Sequence, residues 1–300
     1  MPTTTIAPSV KTIPTVDGGV FGGVDLIYDT RLAKGDNKNE LRSYLAKQWV
    51  RPPLHLAKSY EDDQWALNLL MSPTAGLLAG DKIEINIQVL NQAKAAVISP
   101  AACRVHTMQN GSASIYQHYQ VSNQSILDIW AAPLILQKQA SLKQDTRVDI
   151  DASSTLFMLE SIMPGRSAYA ESFSFDSWSS KLEIYLDQEL LVYENFTVKP
   201  GQGDVKDWQT FYPDAHYASF YYISPQVDKA FIAQLHELEL GVDTKLGASL
   251  CTNNKGIGIK LLSRNSLHLR KAIITVREFF ENQTTISFPR ATKRAQTFYH

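Results

Sequence analysis

The stretch that decides the fold reads GLLAGD over residues 76–81 and KIEINIQV over residues 82–89. Gly76 and Gly80 permit the unusual backbone angles that a tight turn before Asp81 requires. After this turn, apolar side chains stand at positions 83, 85, 87 and 89, and polar ones stand between them. A period of two predicts a strand with one buried face. The turn therefore fixes where Asp81 lies relative to a sheet.

Similar alternating patterns, separated by short polar turns, run from residue 56 to residue 196. Asn91-Gln92, Asn110-Gly111 and Ser122-Asn123 are typical turn pairs, and Asp187-Gln188-Glu189 predicts a hairpin. Many short strands at this spacing predict an all-β body. Apolar residues at helical spacing predict two α-helices late in the chain, over Pro225–Leu240 and Ser263–Phe280.

Composition limits the classes of partner. The formal net charge of −1 argues against a partner that is bound through its phosphate backbone, which needs a basic surface. No apolar run reaches the roughly 18 residues of a membrane span, and residues 1–5 lack a signal-peptide pattern, so we expect a cytoplasmic protein. We expect a flexible tail over residues 1–18, one β domain over 19–290 and a basic tail over 291–300.

The usual catalytic signatures are missing from the sequence. It contains neither a phosphate-binding loop nor a G-x-S-x-G elbow, and its seven histidines form no HxH or HxxxH cluster, which predicts no stable metal site. Cys103 and His106 form a nucleophile–base pair only if a bulge or turn brings them together, because positions three apart on a strand point to opposite faces. The alternative is a buried cysteine and a surface histidine.

Four carboxylates, Asp81, Asp128, Glu160 and Glu171, stand within or beside apolar strand patterns. A buried carboxylate is costly unless it is paired or wet. One interpretation is a solvated strand face or an ion pair with Arg166, and the other is a wet interior path lined with oxygen ligands. The aromatic residues between 211 and 222 are likewise either core residues or a docking surface.

Several motifs in order resemble the urease accessory protein UreD family, called UreH in some organisms. They are the turn over residues 72–81 that ends in Gly80-Asp81, the Pro100–Val105 segment with Arg104, the Pro133–Ile135 segment, and Glu160 followed by GRSAYAESF over residues 165–173, which contains Gly165, Arg166 and Glu171. The resemblance covers roughly residues 20–290. Ala75, Ala79 and Ala170 stand where the family has glycine.

The resemblance implies a mainly β, helix-like stack of short strands in layered sheets with two helices, and no catalysis by this chain. It implies a maturation scaffold that bridges urease subunits to UreF and, through UreF, to the GTPase UreG. It also implies transient passage of Ni²⁺ without a tightly bound cofactor, through a water-filled tunnel that Asp81, Glu160 and Glu171 would line. On this interpretation, leucine at position 81 or 171 leaves the fold intact but slows urease activation.

Docking of UreF is expected on the helices and the aromatic segment, where we select Phe211, Tyr212, Tyr221, Lys229 and Arg270. Two other classes of function stay open. One is an all-β hydrolase that uses the acidic residues, and the other is a passive binding module without a metal path.

Overall fold

A computed structural model of the chain describes residues 18–33, 40–62, 64–203, 206, 210, 212, 215–289 and 292. The strands, in chain order, are β1 (Phe21–Leu32), β2 (Leu41–Arg51), β3 (His55–Leu56), β4 (Tyr60–Asp62), β5 (Trp65–Met71), β6 (Lys82–Val89), β7 (Lys94–Ile98), β8 (Cys103–Val105), β9 (Ala113–Val121), β10 (Ile126–Trp130), β11 (Leu134–Leu136), β12 (Ser141–Ile150), β13 (Thr155–Met163), β14 (Ser177–Leu186), β15 (Glu189–Val198), β16 (His216–Ile223), β17 (Thr244–Leu250) and β18 (Gly256–Ser263). The helices are α1 (Ala230–His236) and α2 (Ser266–Gln283).

The strands form two sheets. The small sheet has seven strands in the order β15-β14-β12-β9-β6-β1-β2. The large sheet has eleven, with the path β17-β18-β16-β13-β10-β7-β5-β3 and with β4, β8 and β11 beside it. The fold class, a mainly β stack in layered sheets with two helices, is confirmed.

From β5 to β14 the chain visits the two sheets alternately and advances by one strand at each return. In the large sheet Trp65 pairs with Lys94, Lys94 with Ile126 and Ile126 with Thr155, in parallel. Each of these steps is one turn of a coil, which explains why successive turns stack. The corner pairs Asn91-Gln92 and Asn123-Gln124 have positive φ, the first as predicted and the second one residue beyond the predicted Ser122-Asn123. Gln92 N–H donates to the carbonyl of Asn123 over 2.8 Å.

The hairpin at Asp187-Gln188 is confirmed, since both residues have positive φ and β14 pairs antiparallel with β15. The helices are also confirmed, with different ends. The side chain of Asp228 accepts from the N–H of Ala230, so the first helix begins later than predicted. Asn265 caps α2 by accepting from the N–H groups of Leu267 (2.8 Å) and His268 (3.2 Å).

Apolar side chains fill three clusters. One cluster lies between the helices and the outer face of the large sheet, and contains Phe157, Phe220 and Phe280. The other two lie between the sheets. The division into tail, domain and tail stays a prediction, because residues 1–17 and 293–300 lie outside the described part.

Candidate functional site

A layer of polar side chains crosses the interior between the two sheets. We call these residues the polar layer: Gln117, Gln144, Thr146, Ser180 and Glu194 on the small sheet, and Glu160, Ser219 and Lys260 on the large sheet. In the large sheet Glu160 pairs with Ser219 and Ser219 with Lys260, so the three side chains share one face. One apolar cluster, with Ile115 and Trp178, lies on one side of the layer, and another, with Tyr119 and Ile184, lies on the other.

A cavity of about 280 Å³ occupies much of this layer. Gln117, Gln144, Glu160 and Ser219 line it together with many apolar side chains. A space of this size with several polar groups on its wall is able to hold ordered water. Exposed Pro73 also contributes to the lining, so the cavity extends toward the surface there.

Glu160 is a carboxyl residue that lines the cavity, as Glu194 also does. Its Oε1 accepts from the side-chain amides of Gln117 and Gln144, each at 2.8 Å, and from the hydroxyl of Thr146 at 3.2 Å. Burial raises the pKa of Glu160, while these hydrogen bonds and the charge of Lys260 act in the opposite direction. No Lys, Arg or His of the described residues forms an ion pair with it, so its hydrogen-bond partners are neutral donors.

Lys260 and Glu194 meet at the end of the polar layer. The Lys260 ammonium lies 2.6 Å from Glu194 Oε1 and 2.8 Å from Oε2, and it also donates to Ser219 Oγ (2.8 Å) and the Tyr221 hydroxyl (2.9 Å). Burial raises the pKa of Tyr221 above its ordinary range, so its hydroxyl stays protonated and donates to Glu194. We call this group the Lys260 cage.

The Lys260 cage stands between the cavity and a second hollow of about 510 Å³, which we call the edge groove. The groove lies between the edge strands β15 and β17. Glu194 lines both spaces, Ser219 lines the cavity, and Lys260 and Tyr221 line the groove. The two spaces therefore meet at the cage.

Asp81 is held by backbone hydrogen bonds at the turn before β6. Its Oδ1 accepts from the N–H of Val20 and its Oδ2 from the N–H of Leu78, each at 2.8 Å, and its side chain is buried. It is not among the described residues that line the cavity. Backbone donors use both of its oxygens, so Asp81 joins the turn to the start of β1. That it also lines an interior path stays a prediction.

Glu171 does not lie on a strand, although its sequence pattern predicted one. Residues 167–169 form a 3-10 turn and not a strand, and Glu171 makes two hydrogen bonds with Arg166, at 2.6 and 2.7 Å. The Arg166 guanidinium lowers the pKa of Glu171. The alternative that the sequence left open, an ion pair with Arg166, is confirmed. The pair lies outside the described lining of the cavity, and the place of Glu171 in a nickel path stays a prediction.

Steric contacts explain why the resemblance motifs contain glycine. Gly76 has a φ of 135°, and a Cβ there would meet the carbonyl oxygen of Arg104 at 2.2 Å. Gly165 has a φ of 151°, and a Cβ would meet the carbonyl oxygen of Glu171 at the same distance. Gly80 has a φ of 86°. Two separated motifs therefore pack against each other, and Leu77 N–H donates to the Arg104 carbonyl over 2.8 Å.

Cys103 and His106 do not form a nucleophile–base pair. Cys103 lines the cavity after the loop that contains Pro100, and burial raises its pKa to about 11. His106 Nε2 bonds instead to the carbonyl of Ala75 at 2.8 Å. The thiol is therefore protonated near neutral pH, which does not suit a nucleophile.

Most of the aromatic segment is core. Tyr221 is only 2% exposed, so the prediction that it belongs to a docking surface is wrong. Tyr212 lies under the guanidinium of Arg264 at 5.3 Å. Phe211 lies outside the described residues. Lys229 is exposed before α1 and Arg270 is half-buried on α2, and their docking role stays a prediction.

Sequence reasoning missed most of the polar layer. A signal exists in β9, where inward positions read Ala113, Ile115, Gln117, Tyr119 and Val121, so a polar residue interrupts an apolar series. Gln144 and Thr146 interrupt β12 in the same way. In neither strand does the local pattern reveal which residue of the large sheet these polar side chains face.

Two further findings concern metals and membranes. Among the described residues, no three His, Cys, Asp or Glu side chains are grouped closely enough to hold a metal ion. Neither described helix combines the length and the apolar character needed to cross a membrane.

Comparison with known proteins agrees with the resemblance. The family model for the UreD urease accessory protein matches residues 29–295. The chain is 28% identical over 228 residues to the urease accessory protein UreH of Helicobacter hepaticus, covering 76% of this chain and 88% of that protein. It is 23% identical over 239 residues to UreD of Staphylococcus epidermidis (78% and 84% covered), and 24% identical over 259 residues to UreD of Natronomonas pharaonis (84% and 86% covered).

The fold and its interior define a layered β protein with a polar layer between its two sheets. The chain belongs to the UreD urease accessory protein family.

Proposed function

We propose that this chain is a maturation chaperone without enzymatic activity of its own. It bridges urease subunits to UreF and, through UreF, to UreG, and it passes Ni²⁺ toward the urease active site. The relatives carry the name urease accessory protein, which supports a role in urease maturation. Both described cysteines are free thiols, which suits the cytoplasm, where we place this step.

One observation carries the Ni²⁺ part of the proposal. Glu160 holds a carboxylate inside a cavity, with neutral donors as its contacts and no described cationic partner. Burial raises the pKa of Glu160, and a divalent cation that displaces the proton would relieve the cost of the buried negative charge. Scattered oxygen ligands bind a divalent metal more weakly than a closed site of histidines and cysteines, so they release their cargo.

The test replaces Glu160 by glutamine in cells that express urease subunits and the accessory proteins. The introduced amide keeps an oxygen that accepts the same three hydrogen bonds, so the fold and the UreF complex should persist. We expect the nickel content of urease to fall several-fold. Glu183→Gln is the matched control, because Glu183 lies on β14 of the small sheet, where it pairs with Lys181 and is absent from the described lining of the cavity.

If urease from cells with Glu160→Gln contains the normal amount of nickel, the proposed nickel path is wrong. The chain would then be a passive binding module. A separate measurement tests the bridge. Charge reversal at exposed Lys229 should weaken UreF pull-down modestly, because rim charges mainly affect association. Unchanged pull-down after reversal at both Lys229 and Arg270 would move the UreF surface away from the helices.

A further inference from the structure

The cavity between the two sheets has a mostly apolar wall. Its volume is about 280 Å³, and its described lining includes Leu77, Ile83, Ile115, Leu134 and Ile162. None of the described lining residues is Lys, Arg or His, so this part of the wall carries carboxyl groups and no basic group. An apolar hollow with a few polar groups is the usual form of a site for a small organic molecule. Because an engineered cavity of about 150 Å³ holds benzene, this one has room for an organic molecule of about ten non-hydrogen atoms.

Small residues leave a way into the cavity at one edge of the large sheet. β5, β7 and β10 are parallel neighbours, so the segments that follow them emerge at the same edge. Short side chains from these segments line the cavity: Ser72, Pro73, Ala101, Ala102, Ala131 and Ala132. Pro73 and Ala101 are exposed, so we call this edge the mouth of the cavity.

Glu160 has one oxygen left for a ligand. The amides of Gln117 and Gln144 and the hydroxyl of Thr146 all donate to Oε1, and no described residue donates to Oε2. Glu160 keeps some accessible surface although it lies between the sheets, and this surface faces the cavity that it lines. The other carboxyl group of the described wall, on Glu194, is already paired with Lys260 at 2.6 Å. The cavity therefore presents, among apolar side chains, one carboxyl group without an ion-pair partner in the described part of the chain.

We propose that the cavity is a binding site for a small primary amine with an apolar body, such as an alkylamine of medium length. The ammonium group of the ligand donates to Glu160 Oε2, and the apolar body lies along the wall toward the mouth. A hydrated inorganic cation would leave the apolar wall unfilled, and a hydrocarbon would leave Oε2 without a donor. The inference goes beyond the proposed function and does not depend on it, because amine binding needs neither nickel nor urease.

The experiment is equilibrium dialysis of the purified full-length protein against n-octylamine, octan-1-ol and octanoate, which have similar alkyl chains and different head groups. We expect the amine to bind at least about tenfold more tightly than octanoate, whose head group has the same charge as Glu160. Glu160→Gln should weaken amine binding at least about tenfold, because a charge-assisted hydrogen bond is lost, and should bind octan-1-ol like the parent protein. Glu183→Gln is the matched control and should bind the amine like the parent protein, since Glu183 pairs with Lys181 outside the described lining.

Ala102→Phe tests the place of binding. Ala102 is half-buried beside the mouth, so a phenyl ring there should weaken the binding of both n-octylamine and octan-1-ol. Thermal melting of each variant accompanies the dialysis, and Ala102→Phe and the three head groups decide the question if Glu160→Gln does not fold.

Four results would each overturn the site: no amine binding by the parent protein, equal affinity for the amine and octanoate, parent-like amine affinity in a folded Glu160→Gln, or unchanged amine binding by Ala102→Phe. Failure of the proposed function is separate, because it is read from the nickel content of urease and not from the dialysis.

Discussion

Asp128 and Glu160 are carboxylates on two neighbouring strands of the large sheet, and they face opposite sides of it. Asp128 faces the helices and is fully buried, with Arg277 of α2 as its partner: Nη1 donates to Oδ1 over 2.7 Å, and Nη2 donates to Oδ2. Trp130 Nε1 donates to Oδ1 at 3.1 Å. Glu160 faces the cavity and has only neutral donors.

This comparison distinguishes two kinds of carboxylate: a closed one, which has a cationic partner, and an open one, which has only neutral donors. Arg277 lies over Trp130 and Phe288, so Asp128, its counter-ion and their surroundings form a dry, completed unit that joins α2 to the sheet. Glu160 has capacity left for a cation. A buried acidic residue is therefore informative about function only when its partners are known.

The largest effect on stability should come from removing the cationic partner of the closed carboxylate, Asp128. Arg277→Met leaves Asp128 buried without its partner, and we expect the free energy of unfolding to fall by about 3–5 kcal/mol. Urea denaturation measures the loss. Lys271→Met, on the exposed side of the same helix, is the control and should change little. A small loss with Arg277→Met would mean that water reaches Asp128.

A smaller loss is expected at Asp81, a third kind of carboxylate, which is satisfied by backbone N–H groups. Asp81→Ala should cost about 2–4 kcal/mol, because two hydrogen bonds to a charged acceptor are lost. Asp81→Leu should therefore destabilise the protein, in contrast to the expectation from the sequence. Asp81→Asn, which keeps one acceptor oxygen, should lose less than Asp81→Ala; equal losses would assign the effect to charge alone.

Removing both partners tests whether the closed pair is needed for stability at all. Asp128→Leu combined with Arg277→Met should recover most of the loss, because apolar groups often replace a buried ion pair without penalty. A residual cost of about 1–2 kcal/mol should remain, since Trp130 Nε1 loses its acceptor. Denaturation of the double variant beside Arg277→Met measures the recovery, and no recovery would contradict this explanation.

Local features of the fold were predictable from the sequence. The period of two in β6, the hairpin turn at Asp187-Gln188 and the apolar stripe of α2 each depend on residues that are near in sequence. Local chemistry also explains the errors at helix ends, where Asp228 and Asn265 use their side chains as hydrogen-bond acceptors.

The site was predictable only in part. Glu160 lines the interior cavity, and the signal that selected it was an acidic side chain interrupting an apolar strand; its place in a nickel path stays a prediction. Asp81 and Glu171 met the same criterion and have other partners. Lys260 and Glu194 are 66 residues apart, and Arg277 and Asp128 are 149 apart. Which carboxylate meets a cation depends on the stacking of distant strands and helices, which alternation along one strand does not encode.

The smallest effect should come from Glu160 itself, and its sign is opposite to that of the other variants. Because burial raises the pKa of Glu160 in the folded state, the folded protein holds this proton more tightly than the unfolded chain does. The protein therefore loses stability as the pH rises from the unfolded pKa through the folded pKa, and that cost is absent at lower pH. Glu160→Gln removes it, so the variant should equal or exceed the parent protein in stability at pH 8 and approach it in mild acid.

Urea denaturation at several pH values measures this difference, with Glu183→Gln as the control. Together with the nickel content of urease, it separates two explanations of a functional defect. A Glu160→Gln protein that is stable but delivers little nickel has lost a carboxylate that function requires and stability does not. A variant less stable than the parent protein at every pH would make Glu160 a structural residue like Asp128, and the contrast between the two faces of the large sheet would disappear.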